Sequence, residues 1–148
     1  MSKTKQVSVK IALRAPADEV FAVVTTWELQ KKWIFATHVR GVGNESHKLG
    51  GKLEAFTGFG KLGFLDTMTI TKWDPPHTCE VTHTGNFVKG KGLFEVSSEN
   101  NTTYFIWTEY LDLPFGVIGQ IGWPLVWLSS KIGLYASLRR FKKLIENQ

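Results

Sequence analysis

The chain has 148 residues, 43% of them hydrophobic, 13% aromatic and 21% charged, a composition that suits one domain of ordinary size and excludes intrinsic disorder. Eighteen Lys and Arg against thirteen Asp and Glu give a net charge of +5, but apart from Arg139, Arg140, Lys142 and Lys143 the surplus is spread along the chain, so nucleic acid is not an expected partner. The lone Cys79 excludes an intramolecular disulfide, and MSKTKQVSVK lacks the apolar stretch of a secretory signal, so a cytoplasmic location is expected.

Residues 6–14, QVSVKIALR, alternate, with Val7, Val9, Ile11 and Leu13 on one face, and predict a half-buried strand. APADEVFAVV then opens a helix: Pro16 suits its start, Asp18 and Glu19 complement the positive end of the dipole, and Val20, Phe21, Val23 and Val24 supply the apolar contacts. A second short helix is expected in TWELQKKWI. From residue 38 to 112 the period becomes two, interrupted by turn residues at Gly41/Gly43/Asn44, Gly50-Gly51, Gly58/Gly60, Asp74-Pro75-Pro76, Gly85-Asn86 and Glu99-Asn100-Asn101, which leaves room for six strands. The last, TTYFIWTEYLDL, is expected to pair with GLFEVSS as an antiparallel hairpin.

After Leu113-Pro114 the pattern is helical to the end. Trp127, Leu134, Leu138, Phe141 and Ile145 draw one apolar stripe, and Pro124 is expected to start or kink the helix. No repeat or linker divides the chain, so residues 1–148 are read as a single domain. Strand, two short helices, six strands and a long helix predict an α+β fold: a curved seven-stranded antiparallel sheet wrapped around the C-terminal helix, with space to enclose between them.

Several segments in this order carry a family resemblance: the opening strand followed by APADEVFAVV and the Trp27 to Trp33 helix, WDPPHTCEV at Trp73 to Val81, TTYFIWTEYLDLP, and the final SLRRFKKLIE. Together they resemble the helix-grip superfamily that includes START-like domains, the birch-pollen allergen fold and the polyketide cyclase/dehydrase-like (SRPBCC) proteins. The resemblance implies a deep, mainly apolar cavity between sheet and helix that takes lipids, sterols or polyketides. It brings no catalytic signature.

Glu109 is the first candidate for chemistry. If Phe105, Trp107 and Leu111 face inward, period two puts Glu109 on the same face, where its carboxylate needs a partner: a ligand hydroxyl, a Lys or Arg, or the water at a cavity mouth. Trp33, Phe35, Met68, Phe94, Phe105, Trp107, Trp127 and Leu134 are the expected ligand-binding wall, with Glu109 and His83 or Tyr135 orienting the ligand. No metal is expected: His77, Cys79 and His83 share a strand face, but at about 3.3 Å per residue His77 and His83 stand roughly 20 Å apart. Gly58, Gly60 and Gly63 spell G-x-G-x-x-G, yet the alternating FLDTMTITKW that follows offers no helix N-terminus for a pyrophosphate, so a hairpin or bulge is expected there and no cofactor.

Leu113 to Ser130 carries no charge, but Gly116, Gly119, Gln120, Gly122 and Pro124 dilute it below what a membrane span needs. Two readings remain for this segment: a solvated basic face on a core helix, or peripheral membrane contact through Trp123 and Trp127 with Arg139, Arg140, Lys142 and Lys143 meeting anionic lipids. Three functions follow: a carrier of one hydrophobic small molecule, a cyclase/dehydratase-like enzyme using Glu109 as acid or base, and a membrane-surface or protein-interaction module acting through the last helix. The sequence carries no signal for oligomeric state.

Overall fold

The structure is a computed structural model that describes residues 4–86, 88–112 and 116–147, the last stretch with side chains from residue 121. Leu113 and Pro114, read above as the break before the final helix, lie outside the described residues, as does the side chain of Gln120.

Strand β1 (Thr4–Leu13) buries Val7, Val9, Ile11 and Leu13 as the alternation predicts. Helix α1 (Ala17–Val24) follows Pro16, an extended residue at the N-cap, and buries Val20, Phe21 and Val24. The expected second helix is instead a 3-10 turn over Trp27–Lys32. The spacing gives the reason: Trp27, Gln30 and Trp33 recur every third residue, a period that eclipses side chains on one face of a 3-10 turn, and all three are buried.

Six strands follow, as expected: β2 (Thr37–Val42), β3 (Lys52–Phe59), β4 (Leu62–Asp74), β5 (Thr78–His83), β6 (Gly90–Glu99) and β7 (Thr102–Asp112). They form an antiparallel sheet in the order β1-β7-β6-β5-β4-β3-β2, a meander closed by β1. A register shift at Ile70/Lys72 marks a bulge, which increases local bend and twist. The glycine motif is a hairpin, with Gly58 paired to Gly63 across the turn between β3 and β4.

Helix α2 (Gly116–Glu146) has 31 residues, roughly 46 Å at 1.5 Å each. It begins before Pro124, which sits inside it. Only the C-terminal part of the expected stripe is buried: Leu138, Phe141 and Ile145 are core, Leu134 is half-buried, and Trp127 lies at the margin. Lys142 Nζ donates to the Ala12 carbonyl, and the Arg14 amide donates to Glu146 Oε2 at 3.0 Å, so the end of α2 is tied to β1. That backbone hydrogen bond holds the Glu146 carboxyl below its ordinary range.

The core centres on Trp33. Phe94, Phe105, Trp107 and Phe141 surround its ring at centroid distances of 5.1 to 6.2 Å, mostly edge to face, the geometry that aromatic quadrupoles favour.

Candidate functional site

Between the inner face of the sheet and α2 lies a cavity of about 400 Å³. Its buried floor comes from Trp27, Gln30, Val39, Leu53, Ala55 and Met68, and half-exposed Phe64, Val88, Leu111, Ser130 and Leu134 stand at its edge. The wall is apolar because each strand sends alternate residues inward and those positions are mostly Val, Leu, Met, Phe and Trp.

One polar cluster interrupts it. His83 on β5 lies between Asp66 on β4 and Glu109 on β7, with Nδ1 2.8 Å from Asp66 Oδ2 and Nε2 3.3 Å from Glu109 Oε2. The indole Nε1 of Trp107 donates to the other Glu109 oxygen at 2.8 Å. Both ring nitrogens of His83 face carboxylate oxygens, which are acceptors only, so the imidazole carries both protons. Burial, the largest single influence, pulls its pKa down. The hydrogen bonds and charges of Asp66 and Glu109 together outweigh it and lift the value from 6.5 to about 9. The imidazolium separates the two carboxylates, and among the described residues no group of His, Cys, Asp and Glu is arranged to hold a metal ion.

His83 and Glu109 are on strands separated by β6, and the residues between them explain how they meet. Register sets His83 beside Gly90 and Glu109 beside Gly92, so the intervening strand sends no side chain into the gap. A Cβ on Gly92 would stand 3.0 Å from Glu109 Oε1 and 3.3 Å from Val81 Cγ2. At Gly90 the backbone has φ +121 and a Cβ would overlap the Tyr110 carbonyl oxygen. Gly92→Ala is therefore expected to displace the Glu109 carboxylate, lower stability by about 1–2 kcal/mol and bring the His83 midpoint down. Urea unfolding and an NMR titration of the imidazole check both outcomes, and an unchanged midpoint would show that the carboxylate does not depend on that space.

Met68, His83, Phe94, Trp107, Glu109 and Leu134 are together on the cavity wall. Other candidates are elsewhere. Trp33 and Phe105 are fully buried in the aromatic core behind the wall, leaving the Trp33 indole N–H without a hydrogen-bond partner among the described residues. Phe35 is exposed, stacked edge-on with Phe59 and lying under the Arg140 guanidinium. Trp127 and Tyr135 border a shallow outer groove with Leu128, Lys131, Ile132 and Arg139. The bulk of an aromatic residue signals burial but not which buried compartment it enters, and that distinction separates Trp33 and Phe105 from Trp107. Cys79 is buried, its thiol pushed up to about 12 by burial and by the Glu80 charge.

Sequence reasoning missed Asp66 and Gly92. Asp66 alternates with Phe64, Met68 and Ile70, the same period-two signal that singled out Glu109. Gly90 and Gly92, two glycines within an otherwise strand-like stretch, signal close approach by a neighbouring group.

On the outside of α2, Ile121, Leu125, Leu128 and Ile132 recur at spacings of four, three and four and are exposed, Ile121 at 75% and Leu125 at 72%. Lys131 lies over the Trp127 ring at 4.8 Å, and exposed Arg139 and Arg140 follow. No helix among the described residues is long and apolar enough to cross a membrane.

The family model described as polyketide cyclase / dehydrase and lipid transport matches residues 4–146. Among solved structures, protein MLL2253 from Mesorhizobium loti is similar with a TM-score of 0.74 at 12% identity, covering 97% of this chain and 98% of that one. TTHA0849 from Thermus thermophilus gives 0.75 at 14% identity, covering 94% and 95%. The Aha1 dimer from Colwellia psychrerythraea gives 0.67 at 17% identity, covering 94% of each chain. These likenesses show the fold, which is the helix-grip fold that the sequence resemblance implied. A search of curated proteins finds no match.

Proposed function

The chain belongs to the family described as polyketide cyclase / dehydrase and lipid transport, and we propose that it binds or carries one hydrophobic small molecule, of lipid, sterol or polyketide-like class, between the sheet and α2. The observation that supports this most directly is the cavity of about 400 Å³, mainly apolar, with its charged groups gathered in one cluster, and within the size range of small-molecule sites. Desolvation of the ligand's apolar body provides most of the affinity, and the polar cluster orients it. Ala55, on the buried floor, is the position at which to fill the space. Ala55→Phe is expected to abolish binding of a hydrophobic panel, read as lost melting-temperature shifts, with the protein itself no less stable than the parent. Undiminished shifts in a folded Ala55→Phe variant would place the ligand elsewhere.

An enzymatic reading draws on the Asp66, His83 and Glu109 cluster, in which an acid and a base face one apolar space as in cyclase or dehydratase chemistry. Glu109 is the group to move a proton on a substrate held against Trp107. Turnover of a polyketone substrate that disappears in folded Glu109→Gln supports this reading; turnover that persists removes Glu109 from it.

The outer apolar row of α2 supports reversible contact with an anionic bilayer, because Lys131, Arg139 and Arg140 accompany it and the chain carries +5. Leu125→Asp with Ile132→Asp is expected to abolish co-sedimentation with phosphatidylserine vesicles, and salt to weaken it in the parent protein.

A further inference from the structure

The polar end of the cavity has a one-sided hydrogen-bonding character. His83 directs one N–H to Asp66 and the other to Glu109, and Trp107 gives its indole N–H to Glu109. Of the lining groups outside the cluster, Thr37 donates to the Phe35 carbonyl oxygen at 2.9 Å, Thr57 is 3.1 Å from the Thr37 oxygen, which leaves it the donor of that pair, and Gln30 Nε2 donates to the Val24 carbonyl oxygen at 2.8 Å, while the Ser130 hydroxyl stands on α2 at the cavity edge, outside the cluster. What the cluster offers a ligand is therefore the remaining lone pairs of two carboxylates, each with about four acceptor sites of which one or two are filled. Charge points the same way. Two carboxylates around one imidazolium leave a net negative charge on the wall, and no Lys or Arg lines the cavity among the described residues.

We propose that the ligand carries a hydrogen-bond-donating, non-acidic head group, a hydroxyl, phenol or amine, which docks on the Asp66 and Glu109 oxygens while its apolar body fills the space toward Ala55 and Met68. This rests on the cavity being the binding site, and names the class of molecule it takes. A carboxylate-headed ligand such as a fatty acid finds no free donor in the cluster and no counter-charge on the wall, and in a site of low polarity its own charge stands against two others of the same sign. An ester or ether finds no donor in the cluster either, although it escapes the repulsion. The preference does not depend on the imidazole being protonated, because a neutral His83 removes a donor and adds negative charge to the wall.

A matched series tests it on the wild-type chain, so that misfolding does not enter. 1-Naphthylmethanol, 1-naphthylmethylamine, 1-naphthoate and 1-methylnaphthalene share one apolar body and differ in the head, and each is titrated calorimetrically at pH 7. The alcohol and the amine are expected to bind at least about tenfold more tightly than the carboxylate, with the amine's advantage the more sensitive to salt. Naphthoate binding as tightly as the alcohol or amine would overturn the head-group assignment while leaving the cavity as a binding site. Silence from all four would overturn the cavity reading and this inference with it. An Asp66→Asn, Glu109→Gln double variant, confirmed as folded by its circular dichroism, is expected to lose the preference for the amine over the carboxylate; retention of that preference would locate the acceptors elsewhere.

Discussion

Replacing His83 by leucine is expected to lower stability by about 3–5 kcal/mol near neutral pH, because it removes the cation between two carboxylates that stay largely buried. The parent protein carries the same interaction in its pH dependence. The imidazole pKa is raised from 6.5 unfolded to about 9 folded, so its stabilising contribution is complete below pH 6.5 and is lost as pH rises through about 9. At about 1.4 kcal/mol for each tenfold change in proton affinity, the alkaline loss is of order 3 kcal/mol. Urea unfolding at pH 6, 8 and 10 should show that decline in the parent and not in His83→Leu. A histidine resonance assigned to His83 that titrates at 6.5 or lower would refute the ion cluster directly. Replacing the whole cluster is a different matter: Asp66→Leu, His83→Leu and Glu109→Gln together leave no unpaired charge and keep an acceptor for the Trp107 N–H, so much of the stability should return. If it does, the cluster is retained for what it does to a ligand more than for holding the fold.

Why the cluster is only partly legible in the sequence follows from the kind of signal each member gives. Alternation along β7 is enough to put Glu109 on the same face as Phe105 and Trp107, because a strand has a period of two and those neighbours are too bulky to be anything but inward. Asp66 obeys the same rule, but its strand also carries Leu65 on the outer face, exposed, and an apolar residue on both faces blurs which face is the core. The His83 to Glu109 contact is of another order. It joins residues 26 apart on strands that are not neighbours, and needs both the register of three strands and the missing side chain at Gly92. Strand alternation, turn residues and the order of elements make the sheet readable from local pattern. The turn at Trp27–Lys32 departs from the expected helix because a three-residue period, over so short a stretch, is hard to tell from a helical one. In α2 the stripe from Leu134 onward is real, but its apparent continuation to Trp127 leaves the buried core for an outer groove, and hydrophobic periodicity says nothing of how far the partner surface extends.

That division of α2 leads to a pair of outcomes on one helix. Phe141→Ala is expected to cost about 3–5 kcal/mol, since the ring is fully buried and stands 5.1 Å from both Trp33 and Phe105, so its removal opens a hole in the most densely aromatic part of the core. For a chain of this size the melting temperature should fall by about 10 °C or more. Leu134→Ala, two turns earlier, removes a half-exposed side chain from the cavity edge and should cost about 1 kcal/mol or less while weakening hydrophobic ligands, whose apolar surface loses a wall. Differential scanning calorimetry and ligand titration on the two variants separate the roles. A large loss of stability in Leu134→Ala would mean that the sheet grips α2 further toward its start than Phe141, and that the wall of the cavity is also part of the anchor. The opposite pattern, a stability loss confined to Phe141→Ala, assigns the C-terminal turns to holding the helix and leaves the segment near Leu134 free to admit and release a ligand without unfolding the protein.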